Sequence, residues 1–150
     1  LSGGAGRAHG HFVFRGCIRR YAEIVRAGAE NGADIIMIET MTDLYDTKAA
    51  VLAAKENTDL PVIVSMTFEV DGRTFTGVSI EAMAMTMEGL GVDAMGINCS
   101  LGPVEIFPLA EKLRSLTDVP VLVKPNAGLP DPVTGEYDIT CDQFVEKMKD

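Results

Sequence analysis

Two pairs of similar segments recur at one spacing in the middle of the chain. The segments "NGADIIMIET" (31–40) and "LGVDAMGINC" (90–99) each pass from a glycine through an aspartate into an apolar stretch. The segments "DLPVIVSMT" (59–67) and "DVPVLVKPN" (118–126) share the pattern Asp-x-Pro-Val-x-Val. The two members of each pair lie 59 residues apart. Self-similarity at a fixed period indicates a fold that is built from a repeated structural unit.

Each unit consists of a short apolar run followed by a helical pattern. The runs predict strands over 33–39, 61–67, 93–98 and 120–124, and their continuous apolar character is typical of parallel strands that are covered on both faces. Helices are predicted over about 17–31, 43–56, 80–90 and 103–116. Their start signals are Thr42 or Asp43, Ser79 and Pro103, and a capping-box pattern at Thr140 predicts a further helix. This alternation predicts a parallel α/β sheet.

The length of the repeat favours a closed barrel over an open sheet. A half-period of about 29 residues, repeated eight times, gives about 240 residues, close to the ~250 of a (β/α)8 TIM barrel. A doubly wound sheet would more often carry a Gly-rich phosphate loop after a strand. The segment "GGAGRAHG" has no strand before it and belongs to a predicted flexible lead-in over 1–13. We therefore predict that residues 14–150 form part of a (β/α)8 barrel, with about four consecutive βα units.

Composition excludes several classes of partner and location. The net charge of -9 disfavours binding to nucleic acid or to an anionic membrane, because both need a basic surface. No apolar stretch approaches the ~18 residues that a membrane-spanning helix needs. The three cysteines are odd in number and far apart in the sequence, which disfavours a disulfide framework. The sequence predicts a cytoplasmic, reduced protein.

Chemically active side chains stand where the predicted strands end. In a barrel the active site gathers at the carboxyl ends of the strands, so these positions are expected to converge on one rim. The strand ends carry carboxylate, hydroxyl, amide, thiol and amine groups: Glu39, Thr40, Ser65, Thr67, Asn98, Cys99, Lys124 and Asn126. Any one of them could serve only as a helix cap or loop contact, but together they favour a functional site.

Cys99 has three interpretations on the residues alone. It could be a buried free thiol, which is the usual fate of a cysteine beside apolar residues. It could be a nucleophile, although the two histidines, His9 and His11, lie far away in the sequence. It could also be one ligand of a soft metal such as zinc, which binds thiolates well.

Four motifs together resemble the homocysteine S-methyltransferase family. They are "IIMIETMTDLYDTKAAVLAAKE", "GINCSLGP", "PNAGLP" and "GEYD", in the family's order and spacing, and the resemblance runs from about Phe14 to Asp150. It implies a (β/α)8 barrel of which this chain is similar to the fourth to seventh strands. It also implies transfer of a methyl group to the thiol of homocysteine, which gives methionine.

The resemblance implies roles for particular residues. Cys99 would be one of three cysteines that bind zinc, and the other two are expected beyond Asp150. Glu39, with Thr40 beside it, would hold the amino group of homocysteine. Asn98 would line the site next to the metal ligand, and Asn126 would lie close to the zinc.

More than one methyl donor and more than one reaction class are compatible with the sequence. The resemblance favours methylcobalamin, carried by a separate cobalamin-binding module or protein. Other members of the family use S-methylmethionine, S-adenosylmethionine or betaine, or are fused to a folate reductase. A different reaction on the same fold is a Schiff-base lyase acting through Lys124. A non-enzymatic alternative is a half-barrel that is inactive by itself because its zinc site is incomplete.

Overall fold

In a computed structural model, residues 3–128, 131–137 and 139–149 are described, with side chains from Val13 onward. Parts of two motifs, Leu129, Pro130 and Asp138, lie outside the described residues, as do residues 1, 2 and 150. Helices and strands alternate along the chain in the order α1 (Gly3–Glu30), β1 (Ile36–Met41), α2 (Leu44–Asn57), β2 (Val62–Met66), α3 (Ile80–Gly89), β3 (Ala94–Asn98), α4 (Pro103–Ser115), β4 (Val121–Lys124) and α5 (Cys141–Lys147).

The four strands form one parallel sheet in the order β1-β2-β3-β4. Ile36 is paired with Val62, and Ile63 with Ala94. Strand β4 joins through the pairing of Met95 with Val121. Each strand therefore lies beside its neighbour in the sequence, with no antiparallel pair and no switch point among them. The predicted parallel α/β arrangement is confirmed.

The helix boundaries follow the capping signals in the sequence. Asp43 caps α2 by accepting a hydrogen bond from the Asp46 N–H at 2.8 Å, and Ser79 caps α3 through the Ala82 N–H at 3.3 Å. Gly32 and Gly91, which occupy equivalent places in the repeat, follow α1 and α3 with φ angles of 88° and 69°. Only glycine adopts such angles without strain, so these glycines let the chain turn from each helix toward the next strand.

One face of the sheet is covered by helices and carries the core. Every second strand residue points toward α2, α3 and α4, where it packs with fully buried helix residues such as Val51, Met83 and Leu113. The strand residues in this core are Ile36, Ile38, Met41, Val62, Val64, Met66, Met95, Ile97, Val121 and Val123. Burial of this apolar surface supplies the main driving force for folding.

The opposite face of the sheet has no helix against it in the described part of the chain. By the alternation of a strand, this inner face carries the residues between the core positions: Met37, Glu39, Ile63, Ser65, Ala94, Gly96, Asn98, Leu122 and Lys124. Met37 is 39% exposed. Parallel sheets are normally covered on both faces, so the inner face is the side on which further structure is expected.

Two predicted boundaries were wrong. Helix α1 begins at Gly3, not near residue 17, and therefore runs through most of the predicted lead-in over 1–13. The glycines of this segment have low helix propensity, which hid the helix from sequence analysis. Strand β1 begins at Ile36 and ends at Met41, two to three residues later than predicted.

The helix that follows Thr140 was predicted correctly. Thr140 and Gln143 form the reciprocal capping box at the start of α5. None of the helices within the described ranges is long and apolar enough to cross a bilayer.

Candidate functional site

The backbone is strained where β1 and β3 end. Thr40 lies in a β-bulge of β1 with a φ angle of 61°, and Cys99 and Ser100 follow β3 with φ angles of 61° and 55°. A positive φ is uncommon outside glycine and exceptional for a β-branched residue such as threonine. Each such residue costs about 1–3 kcal/mol, and strain of this kind concentrates at functional sites. The strain therefore marks the rim formed by these two strand ends.

The Asn98 side chain ties the strained segments together. Its carbonyl oxygen Oδ1 accepts hydrogen bonds from the Thr40 N–H at 3.2 Å and from the Ser65 hydroxyl at 2.7 Å. Its amide nitrogen Nδ2 donates to Thr40 Oγ1 at 2.8 Å and to Cys99 Sγ at 3.0 Å. Asn98 is only 2% exposed, and both its donors and both its acceptor positions are used. One buried amide thus fixes the ends of β1, β2 and β3 relative to one another.

Cys99 is half-buried and held on three sides. The Asn98 amide donates to its sulfur, its own N–H donates to the Lys124 carbonyl at 3.1 Å, and its carbonyl accepts from the Leu101 N–H at 2.6 Å. The thiol is therefore oriented at the rim and is not part of the hydrophobic core.

Glu39 and Lys124 form an ion pair across the inner face. Lys124 Nζ donates to Glu39 Oε2, and the two side chains are 45% and 47% exposed, lysine first. Glu39 lies in β1 and Lys124 lies in β4, and these two strands are separated in the sheet by β2 and β3. Lys124 is paired in register with Asn98, so the pair lies beside the amide network.

Asn126 approaches the same rim through the backbone. Its N–H donates to the Leu101 carbonyl at 2.9 Å, which ties the loop after β4 to the loop that follows Cys99. Thr76 Oγ1 similarly donates to the Thr42 carbonyl at 2.7 Å and joins the loops after β1 and β2. The predicted residues Thr40, Asn98 and Cys99 are thus in direct contact, and Glu39 precedes Thr40 in the chain. Asn126 is linked to Cys99 through Leu101, which is hydrogen-bonded to both residues.

The donor atoms for a metal are incomplete within the described residues. No group of three or more His, Cys, Asp or Glu side chains there could hold a metal ion. Cys17 lies in α1 and Cys141 begins α5, and all three cysteines are free. Cys99 can therefore supply one thiolate to a zinc ion, and its fixed orientation at the rim fits that role, but three protein ligands are usual for a catalytic zinc.

Two residues of the rim were not assigned a role in the sequence. Ser65 is fully buried and bonds Asn98, and a hydroxyl in the apolar run "VIVSM" was the available signal. Thr67 Oγ1 is the one buried side-chain nitrogen or oxygen in the described part of the chain that has no hydrogen-bond partner. The left-handed backbone at Thr40 and Cys99 had no signal in the sequence.

Groups with shifted pKa values lie away from this rim. Burial and a hydrogen bond to Asp46 raise the pKa of Tyr21 to about 12 at the contact between α1 and α2. A hydrogen bond from Lys112 is the main cause that lowers the pKa of Glu81 to about 2 at the contact between α3 and α4. Hydrogen bonds from the Val62 N–H and from Lys55 lower the pKa of Asp93. These groups serve the packing of the elements.

The chain is similar to known methyltransferases. The family model for homocysteine S-methyltransferase matches residues 2–150. Methionine synthases from Mycobacterium leprae and Mycobacterium tuberculosis are 37% and 36% identical over 148 residues, which is 93% of this chain and 12% of each relative. The chain thus spans about an eighth of the length of these relatives.

A solved structure shares the fold. The homocysteine methyltransferase MmuM from Escherichia coli, in its apo form, superposes with a TM-score of 0.66 at 22% identity, over 74% of this chain and 44% of that one. The superposition shows that the two chains share their fold over this part. On the evidence of the family match and of the two relatives, this chain belongs to the homocysteine S-methyltransferase family.

Proposed function

We propose that the chain is part of a zinc-dependent enzyme that transfers a methyl group to the thiol of homocysteine and so produces methionine. The observation that carries the proposal is the oriented Cys99 thiol, held by Asn98 at a strained strand end beside Glu39 and Thr40. The similarity to methionine synthases supports methylcobalamin as the methyl donor, bound by another module of the protein.

In this proposal Cys99 is one zinc ligand and the remaining ligands come from outside residues 1–150. When bound, zinc would favour the thiolate form of the homocysteine sulfur and so keep it nucleophilic. The thiolate sulfur then forms the new bond to the methyl carbon as the bond from the donor to that carbon breaks. Cys99 itself does not attack the methyl group.

The other rim residues bind and orient the substrate. The Glu39 carboxylate offers a charged acceptor for the ammonium group of homocysteine, and Thr40 lies next to it. Asn98 has no free hydrogen-bonding position in the described structure, so its part is to hold Thr40 and Cys99 in place. Asn126 completes the rim on the side of β4.

The open inner face supports the proposed barrel. Four adjacent parallel strands with helices on one face only are half of the arrangement that a (β/α)8 barrel requires. We propose that the remaining strands cover the inner face and continue the sheet at the free edges of β1 and β4. The assignment of β1 to β4 as the fourth to seventh strands rests on the sequence resemblance.

A Schiff-base lyase acting through Lys124 is less well supported. Imine formation needs a lysine amine that is desolvated or otherwise activated. Lys124 is instead 45% exposed and paired with Glu39. The alternatives to methylcobalamin are S-methylmethionine, betaine or a folate-reductase fusion, each of which would use the same homocysteine site.

The proposal is tested by Cys99→Ser in the complete protein. A serine hydroxyl is a far poorer ligand for a soft metal than a thiolate. We expect the zinc content after dialysis and the methylation of homocysteine to be lost together. Metal analysis and a methionine-formation assay with methylcobalamin measure the two effects separately.

Matched variants test the specificity of this result. Cys17→Ser and Cys141→Ser change the same atom at sites away from the rim and should retain zinc and activity. Glu39→Gln should retain zinc but bind homocysteine about 10- to 100-fold more weakly, because the ammonium loses a charged partner. Stoichiometric zinc in the Cys99→Ser variant would contradict the ligand assignment.

A further inference from the structure

The four strands carry one anion and one cation between them. In the described part of the chain, Glu39 is the only acidic residue in β1 to β4 and Lys124 is the only basic one. They belong to the two outer strands, which are three interstrand spacings apart, or about 14 Å in a flat sheet. Their side chains nevertheless meet, so both extend across the inner face toward each other.

The Glu39 and Lys124 side chains can separate at little cost in stability. Both side chains are nearly half exposed, and an exposed ion pair contributes little to stability because water screens the charges. The surrounding groups are fixed without the pair, since Asn98 holds Thr40 and the Lys124 carbonyl is bound by the Cys99 N–H. Separation of the two charged ends therefore leaves the rest of the rim intact.

We infer that Lys124 is a specificity-determining residue that binds the carboxylate of the amino-acid substrate while Glu39 binds its ammonium group. This inference rests on the proposed function. An α-amino acid carries a cation and an anion on adjacent atoms, and the Glu39–Lys124 pair presents their counter-ions side by side. Substrate entry would exchange one ion pair for two and would conserve the total charge of the site.

The geometry places this pair at the correct end of the molecule. Lys124 is the last residue of β4 and is paired in register with Asn98 of β3, and its carbonyl accepts the hydrogen bond of the Cys99 N–H. The amino-acid end of the substrate would thus be held next to the residue that is proposed to position its sulfur through zinc. With a substrate that lacks the carboxylate, Lys124 would stay paired with Glu39 and would compete with the substrate ammonium for the Glu39 carboxylate.

The test uses the complete protein and three thiols. Homocysteine carries both charged groups, 3-aminopropane-1-thiol lacks the carboxylate, and 4-mercaptobutanoate lacks the ammonium. For the wild type, calorimetry should show the strongest binding for homocysteine. In Lys124→Met, homocysteine should bind about 10- to 100-fold more weakly, while 3-aminopropane-1-thiol binds as well as or better than before. Lys124→Arg should retain most of the preference for homocysteine.

Two further variants make the comparison specific. Glu39→Gln should weaken the binding of the two amine-containing thiols, whereas 4-mercaptobutanoate should bind as well as or better than before, because Lys124 is released from Glu39. Lys112→Met removes another lysine that is paired with a carboxylate, Glu81, on the far side of the sheet, and it should change none of the three affinities. Retained zinc in Lys124→Met would show that the rim is still assembled.

The outcomes separate this inference from the proposed function. Tighter binding of homocysteine by Lys124→Met would mean that Lys124 only screens Glu39, and an unchanged preference among the thiols would mean that Lys124 does not contact the substrate. Either result overturns the inference and leaves the proposed function standing. A wild-type protein that binds no homocysteine would overturn both.

Discussion

At the scale of single residues, the candidate site depends on one buried amide. Asn98 bonds Thr40, Ser65 and Cys99 at once, so it converts three separate strand ends into one rigid rim. The strained φ angles at Thr40 and Cys99 persist because these bonds hold them. The Cys99 thiol and Thr40, the neighbour of the proposed ammonium-binding residue Glu39, are thus positioned by a residue that need not touch the substrate.

We predict that Asn98→Ala destabilises the protein by roughly 2–4 kcal/mol. The truncation leaves the Thr40 N–H and the Ser65 hydroxyl without partners, and each buried unsatisfied group costs about 1–3 kcal/mol. Urea unfolding measures the change. Asn31→Ala is the control, because its side chain makes an exposed bond to Ala27 and its loss should cost at most about 0.5 kcal/mol. Equal effects of the two substitutions would contradict the role assigned to Asn98.

Gly96 is required by the close approach of β3 and β4. A Cβ atom at this position would lie only 2.8 Å from the Leu122 carbonyl carbon and would overlap the carbonyl oxygen. Both atoms belong to the β4 backbone, and the Leu122 Cβ at 2.9 Å is a third obstacle, so the pairing of Gly96 with Leu122 must give way. The glycine in "AMGIN" is therefore a packing requirement and not a flexible point.

We predict that Gly96→Ala lowers the midpoint of urea unfolding and reduces zinc retention and activity, because the displaced strands carry Cys99 and Lys124. Gly16→Ala is the matched control. A Cβ atom at Gly16 meets nothing within 4 Å, and alanine is favoured over glycine inside a helix by about 0.5–1 kcal/mol. The control should therefore be neutral or stabilising. A harmless Gly96→Ala would show that β3 and β4 are further apart.

At the scale of elements, α1 and α2 pack side by side in the same direction. Contacts occur in matching order along both helices, from the Phe14–Tyr45 ring pair with centroids 4.6 Å apart, through Tyr21 and Asp46, to Arg26 and Asn57 at 2.7 Å. Successive helices of repeated strand–helix units are expected to run parallel in this way. The α1 helix therefore belongs to the repeated arrangement.

The Tyr21 hydroxyl makes this contact sensitive to alkaline pH. Burial and the Asp46 carboxylate raise its pKa from 10.0 to about 12, so the neutral phenol is favoured in the folded protein. The contribution to stability is fully present below pH 10 and is lost as the pH rises from about 10 to about 12. We predict that Tyr21→Phe is about 1 kcal/mol less stable than the wild type near pH 8 and that this difference shrinks above pH 10. Urea unfolding over this range measures it, and a difference independent of pH would refute the assignment.

At the scale of the whole molecule, the sheet is asymmetric. The helix-covered face holds the core, whereas the inner face exposes Met37 and holds the Glu39–Lys124 pair. An apolar side chain on such a face is consistent with a further layer of strands in the proposed barrel. The site then lies where the inner face meets the carboxyl ends of the strands.

We predict that Met37→Lys destabilises the complete protein by roughly 2–5 kcal/mol, because closure of the proposed barrel would bury this side chain. Met85→Lys is the control, since Met85 on α3 is 70% exposed and lies on the helical layer. It should be tolerated within about 0.5 kcal/mol. Thermal or urea unfolding of both variants decides the matter, and equal tolerance at the two positions would count against a closed barrel.

The sequence by itself determined the repeated architecture and the rim. The 59-residue spacing, the apolar runs and the caps at Asp43 and Ser79 are local signals, and each depends on a few neighbouring residues. They were enough to predict four parallel strands in sequential order. Parallel strands bring their carboxyl ends to one edge, so the grouping of Thr40, Asn98 and Cys99 also followed from the sequence.

Only the tertiary structure decided how these residues are used. The hydrogen bonds between Asn98 and Thr40 join positions 58 residues apart, and the Glu39–Lys124 pair joins positions 85 residues apart. Neither contact therefore leaves a local pattern in the sequence. The left-handed backbone at Thr40 and Cys99 runs against the intrinsic preference of both residues and is held by those long-range bonds. The helix over the glycines after Gly3 was missed because glycine has low helix propensity and leaves no local helical signal.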